Sequence, residues 1–149
     1  MLNPFVSYKD IDISLQIPHY LKKRKKNRFF VADNRLIDTT TIESMSVDIL
    51  AGPENFLRIQ SNLLNAPESD WNGVQQQAVH RNPVKYQGEG YEVLWRYTNT
   101  SKKLDKLAYD LVICIAGKVI WLSLRGDQSD NFYTDCLKIV GSVEISNKL

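Results

Sequence analysis

Two apolar runs, Leu107 to Ile115 and Val119 to Leu124, are separated only by Ala116-Gly117-Lys118. This spacing constrains the fold more than any other feature of the chain. A connection that short makes a tight hairpin, so the two runs must be neighbouring antiparallel strands. Upstream, Tyr91-Glu92-Val93-Leu94-Trp95-Arg96-Tyr97 alternates large apolar and polar side chains, and Val74 to Val84 reads as an irregular strand broken near Pro83. Gly88-Glu89-Gly90 between them is expected to turn. The second half of the chain is therefore a β meander.

The first half adds strands of the same kind. Ile11, Ile13, Leu15 and Ile17 alternate with Asp12, Ser14 and Gln16, a period of two that predicts a half-buried strand closed by Pro18. Phe29-Phe30-Val31 and Leu36-Ile37 flank Asp33-Asn34-Arg35, which is hairpin chemistry because Asp and Asn tolerate turn geometry. Ile42, Met45, Val47 and Ile49 suggest a further strand.

Two helices interrupt the strands. Pro53 suits a first helical turn, where its missing N–H is not needed, and Glu54 suits the positive end of the dipole. Phe56, Ile59, Gln60, Leu63 and Leu64 then form one stripe, ended by Ala66-Pro67. Later, Asp127-Gln128-Ser129-Asp130 offers caps for a helix whose apolar face is Phe132, Cys136, Ile139 and Val140. Gly141 is the expected residue just past its end, with Val143 and Ile145 in a short final strand. Strands, helix, several strands, helix and a short strand give an α+β fold, an antiparallel β-sheet with helices packed on its faces. At 149 residues, without repeats or a linker, the chain is expected to form one soluble domain over 1–149.

The chemistry available is sparse. His19 and His80 lack metal-site spacing, and no CxxC pattern accompanies them, so neither a metal nor another cofactor is expected. Cys114 and Cys136 sit in apolar patterns and read as buried thiols, although a single bridge between them stays open. No serine lies in a nucleophile motif, and Gly88-Glu89-Gly90 lacks the spacing of a phosphate loop. Asp127, Ser129, Asp130 and Asn131 are explained by capping, and Arg125-Gly126-Asp127 is a tripeptide that recurs by chance. No window approaches a membrane span, and Met1 to Phe5 is not a signal peptide; the expectation is cytoplasmic, or periplasmic if a leader has been removed.

The net charge of +2 predicts no polyanion partner. The sharp local feature is Lys22-Lys23-Arg24-Lys25-Lys26-Asn27-Arg28, which is either a solvated run guarding a strand edge or a contact for nucleic acid, an anionic membrane or an acidic partner face. Nucleic acid is the weaker choice, since no RNA-binding aromatic motif accompanies it. Tyr91, Trp95 and Tyr97 share a row that is either core or an aromatic binding surface; Trp71 is either an exposed anchor or a lid. Trp121 reads as core. The candidate partner-binding residues are thus Lys22, Lys23, Arg24, Lys25, Lys26, Trp71, Tyr91, Trp95 and Tyr97, with no catalytic set.

Certain phrases resemble the PsbP-like superfamily of small α/β/α sandwiches, which includes thylakoid PsbP, a Ran-binding import factor and bacterial DcrB-type and secretion-associated proteins. They are Ile13-Ser14-Leu15-Gln16-Ile17-Pro18, Val47-Asp48-Ile49-Leu50-Ala51-Gly52-Pro53, and the block from Asp110 through the hairpin to Ile145. The resemblance implies a non-enzymatic domain that binds proteins, and by elimination the bacterial branch. The partner it suggests is another protein, such as a secreted toxin or effector, with the chain as chaperone, adaptor or immunity protein; a homodimer also stays open. The alternative is a small-ligand or lipid-binding envelope protein with its pocket near Tyr91 and Trp95.

Overall fold

The computed structural model describes residues 5–10, 13–24, 28–32, 41–64, 75–81, 89–99, 104–127 and 130–145, with the side chains of 63–64, 75–81, 89, 95–99, 104–105, 127 and 130 excepted. The strands are β1 (Phe5–Lys9), β2 (Ile13–Pro18), β3 (Leu21–Lys23), β4 (Phe29–Ala32), β5 (Ile42–Ala51), β6 (Gln75–Arg81), β7 (Glu89–Asn99), β8 (Leu104–Ile115), β9 (Lys118–Asp127) and β10 (Glu144–Ile145). The helices are α1 (Glu54–Leu64), after β5, and α2 (Asp130–Gly141), before β10. Seven strands form one sheet in the order β3-β4-β5-β9-β8-β7-β6, and β1-β2-β10 form a second. Every pairing among the described residues is antiparallel.

The hairpin that constrained the sequence is β8–β9. Ile115 pairs with Lys118, so Ala116 and Gly117 alone make the turn, with φ of 52° and 75°. Positive φ at both central positions matches the right-handed twist of the strands, as in a type I′ turn. Because its strands are buried on both faces, this hairpin reads as continuous apolar runs rather than as alternation. Leu107, Tyr109, Leu111 and Ile113 of β8, with Ile120, Leu122 and Leu124 of β9, share a cluster with Phe132, Cys136, Ile139 and Val140 of α2 and Ile13, Leu15 and Ile17 of β2. The intervening Ala108, Val112 and Val119 join Phe56 and Ile59 of α1 with Tyr91 and Val93 of β7. The two clusters thus divide along the two faces of the large sheet.

Local packing explains several departures from the pattern. Ile42, Met45 and Val47 are all buried although Ile42 and Met45 are out of phase. A bulge between Ile42 and Ser44, against Gly126 and Arg125, resets the alternation. The Tyr20 hydroxyl, wholly buried, accepts the backbone N–H groups of Thr41 and Ile42 at 3.2 and 3.1 Å, and Thr41 Oγ1 donates to Asp135 on α2 at 2.5 Å. At Gly126 an added Cβ would collide with the Thr41 carbonyl and the Phe132 ring, so β9 needs glycine for α2 to lie this close.

Glu89 and Gly90 do not turn. They pair with Cys114 and Ile113, because the long β8 draws β7 into register along its whole length. Gly141 belongs to the last turn of α2 without a positive φ, so it is not the left-handed cap expected. The Asp33-Asn34-Arg35 hairpin, the Ala66-Pro67 helix end, Pro83, and Gln128 and Ser129 among the caps lie outside the described residues. Cys114 and Cys136 are not joined by a disulfide. Cys136 is fully buried, Cys114 only partly. Among the described residues no helix is long and apolar enough to cross a membrane.

Candidate functional site

The basic run closes the hairpin between β3 and β4. Lys22 pairs with Val31 and Lys23 with Phe30, and the Arg24 N–H donates to the Phe29 carbonyl at 2.8 Å. Lys22 and Lys23 therefore stand on the outermost strand of the large sheet, and with Arg24 they are exposed. Lys25 and Lys26 lie outside the described residues.

Arg28 behaves differently from Lys22, Lys23 and Arg24. Its Nε donates to Asp10 Oδ2 at 2.5 Å and its Nη2 reaches Oδ1 at 3.4 Å. The Tyr8 hydroxyl donates to the same Asp10 carboxylate at 3.1 Å. Partial burial, and then that hydrogen bond, raise the Tyr8 pKa above its ordinary value. The Tyr8 ring meets Phe30 edge-on with centroids 4.9 Å apart, and Lys23 Nζ lies 5.7 Å from the Tyr8 centroid. These contacts staple the end of β1 to the basic hairpin.

Beside the staple lies a shallow cleft of about 690 Å³ lined by Asp10, Lys23, Arg28, Phe29, Ser46 and Asp48, and by Val47 and Ile49. Phe29 is 41% exposed, unusual for a large ring and suited to a contact surface. In the sequence Phe29 stands only as part of the apolar Phe29-Phe30-Val31 stretch, and nothing there singles out Asp10, Ser46 or Asp48. Asp10 is eighteen residues from Arg28, and only strand pairing brings them together. The one available signal was an aromatic pair adjoining a basic run.

The aromatic row is elsewhere. β7 lies across β4, β5, β9 and β8 from the basic edge, so the run and the row do not form one surface. Tyr91 is 1% exposed and stacks edge-on against Phe56 of α1 at 5.2 Å, which removes it from any accessible surface. The same contact packs α1 on the sheet at Tyr91, where the alternative reading expects a ligand pocket. Trp95 pairs with Ala108 and Tyr97 with Lys106 in the backbone register, and nothing further of their side chains is described. Trp71 lies outside the described residues.

A second polar cluster was missed by the sequence reading. Asp110, fully buried, is the one charge inside the apolar run of β8. Trp121 Nε1 donates to its Oδ1 at 2.9 Å, Ser123 Oγ donates to the same oxygen, and Arg125 Nη1 lies 3.3 Å from Oδ2. Ser123 is its cross-strand partner, and Trp121 and Arg125 are the two diagonal neighbours. The strand period thus supplies these three contacts. Trp121, read as core, is only half-buried and serves as a donor here. Paired and hydrogen-bonded in this way, the carboxylate acts as an internal tie rather than a reactive group.

No metal-binding group of His, Cys, Asp and Glu occurs among the described residues. His19 lies beside Tyr20 with ring centroids 6.0 Å apart, and His80 on β6 pairs with Glu92 in the register, its side chain undescribed.

No sequence-family model matches the chain, and no curated protein matches it in sequence. Solved structures do match. The chain superposes on cyanobacterial PsbP (CyanoP) of Synechocystis sp. PCC 6803 with a TM-score of 0.61 at 14% identity, over 98% of this chain and 95% of that one. The Ran-binding protein Mog1p of Saccharomyces cerevisiae gives 0.62 at 10% identity, over 96% of each chain. LpqN of Mycobacterium tuberculosis, involved in cell envelope biogenesis, gives 0.57 at 14% identity, over 97% and 90%. At these identities the likeness shows a shared fold: the chain folds as these PsbP-like proteins do.

Proposed function

We propose that this protein is a non-enzymatic binding domain that engages another protein through the basic β3–β4 hairpin and the adjoining cleft. The observation that carries the reading is the exposed set Lys22, Lys23 and Arg24 beside the exposed ring of Phe29. Cationic side chains steer an acidic partner, and an aromatic ring supplies contact area at small entropy cost. The fold it shares with a Ran-binding protein supports a protein as the ligand. A finer role, as chaperone, adaptor or immunity partner of a secreted effector in a bacterium, belongs to this proposal.

Strand β3, with Lys22 and Lys23 outward, also has the look of a guarded edge, and the test must separate the two roles. A photo-crosslinker placed at Phe29 in cells of the source organism is expected to yield a protein adduct. The Lys22→Glu/Lys23→Glu/Arg24→Glu variant should lose at least nine-tenths of it while keeping its melting temperature. Equal adducts from a crosslinker at Leu57, on the exposed side of α1, would refute the assignment. So would adducts indifferent to the charge reversal.

A further inference from the structure

Lys22 on β3 stands opposite Val31 on β4, and Val31 and Phe29 stand opposite Ser44 and Ser46 on β5. Directly opposed residues share a face of a sheet, and so do residues two apart on one strand. Lys22, Phe29, Val31, Ser44, Ser46 and Asp48 therefore lie on one face. It is the face that α1 covers further along, because Asp48 opposes Trp121, Trp121 opposes Val112, and Val112 clusters with Phe56 and Ile59 of α1.

Lys22, Phe29 and Asp48 are the exposed members of this set, while Val31, Ser44 and Ser46 are half-buried. Lys22 lies one strand to one side of Phe29 and one step of the side-chain period along it. Asp48 lies one strand to the other side and one step in the opposite direction. Strand spacing and rise put each charge about 8 Å from Phe29 across the sheet. Phe29, 41% exposed, is thus the midpoint between an exposed cation and an exposed anion. Reflected across a line through Phe29, each charge falls on the other.

We propose that a second copy of this chain docks on this face, with Phe29 against Phe29 on a two-fold axis and Lys22 of each copy against Asp48 of the other. A two-fold contact requires a patch that is its own complement, and opposite charges placed symmetrically about an exposed ring meet that requirement. The short Ser44 and Ser46 beside Phe29 leave room for the incoming ring. Lys23 takes no part, since it stands on the other face of the sheet, over the Tyr8 ring. The inference goes beyond the partner-binding function and does not rest on it: a copy occupies Phe29 until a partner displaces it.

Sedimentation velocity of the purified full chain is expected to show a concentration-dependent dimer. A monomer at every concentration up to about 1 mM overturns the proposal. Lys22→Asp alone and Asp48→Lys alone should each weaken dimerisation about tenfold or more, because symmetry places two like-charged pairs in the interface. The double variant Lys22→Asp/Asp48→Lys exchanges the charges and should restore the affinity to within about threefold. Phe29→Ala should dissociate the dimer, and Lys23→Gln, on the opposite face, should leave it intact. Melting temperatures confirm that each variant folds; should Asp48→Lys unfold the chain, Asp48→Asn must still weaken the dimer. A dimer indifferent to Phe29→Ala, or single variants that the charge exchange does not rescue, would refute this interface. Adducts to other proteins in cells are read separately. A monomeric chain would therefore leave the partner-binding function standing, and a dimer without such adducts would remove that function alone.

Discussion

The Tyr91 hydroxyl is buried with no hydrogen-bond partner among the described residues. Burial, and secondarily the Asp110 charge, push its pKa above the ordinary phenol value. In the unfolded chain it ionises near ~10, so the folded state holds the proton more tightly. Stability from this group is complete below about pH 10 and is lost as pH rises further. Tyr91→Phe should therefore flatten the alkaline fall in melting temperature. At neutral pH it should leave stability equal or raise it by about 1 kcal/mol, since an unmade hydrogen bond is removed. A loss larger than this in denaturant titration would mean that the hydroxyl is satisfied in solution. The opposite holds for Asp110, whose oxygens are all engaged. Asp110→Asn leaves Arg125 without its carboxylate and should cost about 2–3 kcal/mol, the lower range for a broken pair because Arg125 is partly exposed. Adding Arg125→Gln should recover part of the loss, which a double-mutant cycle measures.

Among the elements, the β8–β9 hairpin carries a residue at odds with its backbone. Ala116 holds a φ of 52°, a conformation that an L side chain adopts at a cost. Ala116→Gly or Ala116→Asn should raise stability by up to about 1 kcal/mol, readable in chemical denaturation, since the turn type favours these residues. Unchanged stability would show that the turn relaxes in solution. Helix α2 offers a different probe. Burial, and then the nearby Asp135 charge, push the Cys136 thiol pKa well up. A buried, protonated thiol is inert, so labelling of Cys136 by a thiol reagent should proceed only at the rate of global unfolding. Faster labelling at neutral pH would show that α2 detaches from the sheet locally.

At the scale of the molecule, the exposed cations Lys22, Lys23 and Arg24 stand at the β3 edge of the large sheet. The centre is occupied by the two clusters and the Asp110 tie. Charges at the exposed β3 end can thus be changed without disturbing these clusters. The charge-reversal variant is expected to keep its stability, because exposed lysines contribute little to it.

How much of this was legible follows from the range of the interactions. Alternation in Ile13–Ile17, continuity in Leu107–Ile115 and the stripe Phe132–Cys136–Ile139–Val140 are local patterns, and they named the strands, α2 and the α+β class. Burial depends on period, and period is written in neighbouring residues. The run from Lys22 to Arg24 was likewise visible as charge. What the sequence could not show was anything decided by register between distant strands: the pairing of Arg28 with Asp10, the bulge that buries both Ile42 and Met45, and the Tyr91 ring beneath α1. Those depend on which backbone lies alongside which. Only the assembled sheet fixes that, because each strand's hydrogen bonds are satisfied by residues far away along the chain.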